Sequence, residues 1–222
     1  METKNPIVQF YEDKQENCCC YVLPASEGED FAFYSPVKSG KWYISNLNGD
    51  KTGSEFIISS DGFIDVFAVN LSELLAPGDC FRIVAGNYIS TPFQYIGCNT
   101  ENTHVFEYWD KEYDRHKKVR ISCVIDNPQS KTEKSEYVDA NGTNHSLSKT
   151  RRKEINLTTD FYPEYVHDAI KEILLYPNLL VDDVAVFESG DYDIAWDEKD
   201  EYDNARATTK LSEQDINRYS IC

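Results

Sequence analysis

The sequence is short of the local patterns on which chemistry usually depends. No apolar run approaches the ~20 residues that a membrane helix needs. The opening Met1-Glu2-Thr3-Lys4-Asn5-Pro6 lacks a charged start followed by an apolar stretch, which argues against a signal peptide. There is no Gly-x-Ser-x-Gly elbow and no Gly-x-x-x-x-Gly-Lys phosphate loop. The four histidines, His104, His116, His145 and His167, are scattered. Cys80, Cys98, Cys123 and Cys222 stand alone, with no C-x2-C pair and matching histidines to hold zinc. The expectation is therefore no catalytic residue, no metal and no cofactor. Positive charge is also scarce, 22 Lys and Arg against 39 Asp and Glu, for a net −17. That excess of acid argues against a general nucleic-acid coat, which needs a basic face.

What is present is β-forming and aromatic. Tyrosine alone accounts for 15 residues, and its ring can bury while its hydroxyl stays wet. Short runs at Cys18–Leu23, Phe31–Tyr34, Trp42–Asn46, Glu55–Ser59, Phe63–Asn70, Cys80–Ala85 and Phe93–Ile96 are separated by Gly, Asn, Asp and Pro. Leu71–Leu75 could add one helical turn. A second series follows at His104–Trp109, Val119–Ile125, Ser135–Val138, Thr150–Leu157, Val184–Glu188 and Tyr192–Trp196. Asn141-Gly142 reads as a hairpin turn between Tyr137 and His145. The polar stretch Asn127–Lys134 has no apolar period and reads as a loop.

One helix is expected, from Pro163 to Tyr176. Val166, Ala169, Ile170, Ile173 and Leu174 fall on a single stripe. Pro163 suits the first helical position, and Pro177 ends the run. The fold expected is mostly β: two β-sandwich-like modules, residues 1–98 and 99–197, with the helix packed on the second. Residues 198–222 read as a polar C-terminal arm, weakly helical after Thr209.

Cys18-Cys19-Cys20 fits small buried hydrophobes in a reducing compartment. Asn48-x-Asp50-x-Thr52-Gly53 begins like a calcium loop, but Ser59 stands where the bidentate Glu belongs, so a hairpin turn is the better reading. Charge is unevenly spread. From Asp182 to Asp203 there are ten acidic residues and one lysine. From Arg115 to Lys153 basic residues predominate. Two complementary faces would suit head-to-tail contact between copies. The interface residues singled out are Arg151, Arg152 and Lys153 against Asp191, Asp193 and Asp197.

Several segments together resemble a family. They are the Cys-rich opening strand, Pro77-Gly78-Asp79-Cys80-Phe81-Arg82, Cys98-Asn99-Thr100-Glu101-Asn102-Thr103 and Phe106-Glu107-Tyr108. Glu136-Tyr137-Val138-Asp139, Asn141-Gly142, Leu147-Ser148, Tyr162-Pro163-Glu164-Tyr165-Val166-His167 and Ser189-Gly190-Asp191-Tyr192 complete the pattern. This resembles tail-region structural proteins of phages that infect gut Bacteroidetes, the crAss-like phages among them. The resemblance implies a non-enzymatic virion component that forms a ring or hub with other tail proteins, assembled in a bacterial cytoplasm. Two other classes remain in view. A carbohydrate- or receptor-binding module would stack a ligand on Trp42, Tyr43 or Trp109. A hydrolase would pair carboxylates among Glu188, Asp191 and Asp193.

Overall fold

The computed structural model describes residues 8, 10–12, 23–26, 32–58, 63–65, 70–97, 101–110, 115–196 and 204–213. The fold is mostly β with a single α-helix among the described residues, as the pattern of short strands led us to expect.

The first sheet is built from β1 (Phe10–Glu12), β2 (Leu23–Ser26), β4 (Lys41–Asn46), β5 (Lys51–Ile57), β7 (Cys80–Ala85), β8 (Tyr88–Ser90) and β9 (Phe93–Gly97). Its order is β1-β8-β7-β4-β5, with β9 also on β7 and β2 parallel to β9. A separate pair joins β3 (Ala32–Tyr34) to β6 (Phe63–Asp65). Period-two alternation sets the buried face. Phe81, Ile83 and Ala85 point inward from β7, and Phe93 and Tyr95 from β9. Phe81 stacks on Phe93 at 5.3 Å between ring centroids. A 3-10 turn, Leu71–Glu73, stands where one helical turn was expected.

The second sheet comprises β10 (Thr103–Asp110), β11 (Arg115–Val138), β12 (Asn144–Thr159), β13 (Tyr162–Pro163), β14 (Leu180–Val181), β15 (Val184–Glu188), β16 (Asp193–Trp196) and β17 (Asn204–Glu213). Pairing runs β12-β11-β10-β14-β15-β17, and β17 returns to β12, so six antiparallel strands close into a ring. Closure leaves no open edge along that circuit. Phe106, Ile121, Cys123, Leu157, Val181, Val186 and Leu211 are buried along these strands. They share one core with the first sheet's buried residues.

Two expectations are corrected here. Asn127–Lys134 is not a loop: β11 runs unbroken through it and pairs with β12. A strand exposed on both faces needs no apolar alternation, so it left no periodic signal. Pro128 sits where the register shifts, between Asp126 and Gln129, so its missing N–H interrupts no regular ladder. The C-terminal segment is not an arm throughout. Asn204–Glu213 is a strand paired with β12 and β13 on one side and with β15 and β16 on the other. Its inward residues Ala205, Ala207 and Thr209 are small, which hid a central strand behind a polar composition. The rest of 198–222 lies outside the described residues.

The helix α1 (Glu164–Leu174) buries Val166, Ala169, Ile170, Ile173 and Leu174, the expected stripe. Pro163 stands one residue earlier than expected, extended and paired with Asn204. The helix closes the ring's far end. It leaves from β13 beside the start of β17, and Tyr176 beyond it packs on Tyr108 of β10 at 4.8 Å. A buried histidine fastens it. His167 Nε2–H donates to the Ala205 carbonyl at 2.9 Å, and the Tyr192 hydroxyl donates to Nδ1 at 2.8 Å. The carbonyl can only accept, which fixes the neutral tautomer. Burial, the largest influence, pushes the His167 pKa down.

Candidate interaction surface

Beyond the pair Gln129 and Glu154, β11 and β12 leave the ring and continue as a two-stranded ribbon. Glu154 is the last residue of β12 to pair with β17, at Ser212. From Ser130↔Lys153 to Val138↔Asn144, no third strand joins among the described residues. Nine residues of strand span roughly 30 Å. Successive strand residues face opposite sides, yet Pro128–Thr132 and Ser135–Val138 are all exposed. Where its side chains are described, β11 is therefore wet on both faces along the ribbon. Exposed Tyr137 and Val138 carry apolar surface to its tip.

The tip is held by its own sequence. Asp139 Oδ1 accepts the N–H groups of Asn141 and Thr143, each at 2.9 Å. His145 Nε2 meets Asp139 Oδ2 at 2.9 Å, and Tyr137 stacks on His145 at 5.1 Å. The His145 hydrogen bond, the largest influence, holds the Asp139 carboxyl below its ordinary range. Gly142 takes φ 81°, which a side chain would strain. The same device recurs at Asn46-Leu47-Asn48-Gly49-Asp50. There Asn46 Oδ1 accepts from Asn48 at 3.0 Å and Asp50 at 2.9 Å, and Gly49 has φ 88°. The calcium-like stretch is thus a hairpin turn between β4 and β5, as its missing Glu suggested.

The base of the ribbon is clamped by charge. Lys153 Nζ lies 2.6 Å from Glu213, and the Arg152 guanidinium sits over Phe187 at 5.2 Å. Glu154 lies between Lys131 at 3.6 Å and Lys210 at 3.7 Å.

The structure sorts the remaining candidates. Arg151 pairs with Thr132 in the ribbon ladder. Asp191 and Asp193 are exposed, and Asp193 pairs with Thr208, midway along β17. Asp197 lies outside the described residues. Asp182 belongs elsewhere: it bonds His104 Nδ1 at 2.5 Å and Val105 N at 2.9 Å, on the ribbon side of the ring. The acidic segment therefore forms no single patch: Asp182 sits on the ribbon side and Asp193 midway along β17. Glu188 accepts from Thr209 Oγ1 at 3.1 Å.

Trp42 cannot serve as an exposed stacking platform. It is 1% exposed and stacks on Phe56 at 4.6 Å, because its position on β4 faces the first sheet's core. Tyr43 is half-buried with Lys51 over its ring at 5.6 Å, and Trp109 is half-buried. Cys80 and Cys123 are thiols, and burial pushes that of Cys123 far up. The triple cysteine lies outside the described residues. No group of three or more His, Cys, Asp or Glu among the described residues could hold a metal. No described helix is long and apolar enough to cross a membrane. A cleft of about 360 Å³ lies where the sheets meet, between Pro24, Pro77, Tyr95, Glu101, Thr103 and Ser122.

Sequence reasoning missed the ribbon. A signal was available: Asn141-Gly142 is flanked on both sides by polar runs of similar length, with apolar strands beyond each. Compared with known proteins, the chain matches no family model, no curated protein and no solved structure at a significant level.

Proposed function

We propose that this chain is a non-enzymatic assembly protein that joins neighbours in a ring or hub, as in the phage-tail components it resembles. The observation that carries this reading is the ribbon of residues 129–153. A two-stranded ribbon gains little stability alone in water, and here its β11 strand is wet on both faces where its side chains are described. Keeping Tyr137 and Val138 at its tip exposed, at 48% and 62%, serves contact with another surface rather than folding. The pre-shaped tip turn lowers the ordering cost of such contact. The clamped base fixes the ribbon where it leaves the ring.

The test replaces residues 129–153 by a short Asn-Gly turn. Thermal unfolding of the body should stay within a few degrees of the parent, because the ribbon adds little burial. Light scattering and electron microscopy should show loss of self-assembly and of incorporation into virus-like particles. Unimpaired assembly without the ribbon would overturn this reading.

A further inference from the structure

We propose that the basic ribbon of one copy docks on the acidic, helix-capped end of the next copy. This rests on the assembly reading above and names the partner surface.

The ribbon's charge runs against that of the chain. Residues 127–153 hold six Lys or Arg and three Asp or Glu, in a protein of net −17. Its register places Lys134 directly opposite Lys149 on the ladder.

Such a surface lies at the other end of the ring. Glu164, Asp168 and Glu172 are exposed on α1. Lys171, the helix's single basic residue, is engaged with Asp168 at 3.3 Å.

Topology makes the contact intermolecular. The ribbon leaves beside Ser212 of β17, whereas Pro163 and Trp196 pair with Asn204 and Ala205 at that strand's opposite end. About eight residues of strand, roughly 27 Å, separate the two ends, and the ribbon runs on in the other direction. A copy cannot lay its ribbon on its own helix end. Asp182 and Asp183 are on the ribbon side and are not the target. Because the two surfaces differ, the contact is heterologous and builds rings or filaments rather than a closed two-fold dimer.

The test uses charge reversal in the full chain, with circular dichroism to verify folding. One variant carries Lys134→Glu and Lys149→Glu. A second carries Glu164→Lys, Asp168→Lys and Glu172→Lys. The parent should self-associate in light scattering, less so at high salt. Each variant alone should associate about tenfold or more weakly, and both sets combined in one chain should restore association. A parent that stays monomeric overturns the proposal. So does association indifferent to both variants; the ribbon-deletion experiment then decides the assembly reading separately. Retention of a DNA duplex by the parent, lost with the ribbon variant and without self-association, would make nucleic acid the partner and also overturn it.

Discussion

At the scale of single residues, His167 carries the most weight. It is fully buried and neutral, and it ties α1 to β17 and to the loop before β16. Tyr162 and Trp196 present ring edges to it at 6.2 and 6.3 Å. Removing the imidazole leaves the Ala205 carbonyl and Tyr192 hydroxyl without that partner and opens a cavity. His167→Ala should therefore cost about 2–4 kcal/mol at pH 8, measured by denaturant unfolding. The pH dependence follows from its lowered folded-state pKa. The unfolded chain takes up a proton near 6.5, but the folded protein resists until a lower pH. The stability contributed by neutral His167 is thus complete above about 6.5. It is lost as the pH falls through the folded value. The difference between parent and variant should shrink over that window. A constant difference from pH 8 to pH 5 would show that the imidazole does not titrate against folding.

At the scale of elements, the helix and the ribbon are opposites. The helix was legible because five apolar residues repeat at helical spacing, and all five are buried. Ile170 is fully buried on that stripe, so Ile170→Ala should lower stability by roughly 2–5 kcal/mol. An unchanged unfolding midpoint would contradict its place in the core. The ribbon was half legible. Its turn was plain from Asn141-Gly142, and the register confirms Tyr137 opposite His145. Its length was not, because residues wet on both faces obey no hydrophobic pattern. Between these extremes lies β16, where alternation put Asp191, Asp193 and Ala195 outward and Tyr192, Ile194 and Trp196 inward; Trp196, at the strand's end, is instead 48% exposed. Tyr192 does reach His167 in the interior.

At the scale of the molecule, β17 decides the second unit. Four strands pair with it, β12, β13, β15 and β16, and β13 and β16 pair with no other described strand. Without it the ring opens and the helix loses its Ala205 anchor. A chain ending at residue 203 should lose the cooperative unfolding transition of this unit and expose apolar surface to a hydrophobic dye. A truncated chain that retained a parent-like transition would show that the ring does not need its last strand.

The sequence alone determined the class of the fold, the site of its one helix and the tight turns. These depend on local rules: positive φ at Gly49 and Gly142, period two in strands, and period 3.6 in the helix. Only the tertiary structure decided that the second sheet closes on itself, that 204–213 is a central strand, and that the acidic segment is divided rather than one patch. Ring closure depends on which distant strand β12 meets after its apolar face is already satisfied, and pairing across such separations leaves no periodic mark. For β17 the inward Ala205, Ala207 and Thr209 are small because neighbours crowd it on both sides, so their burial comes from their surroundings rather than from their own hydrophobicity.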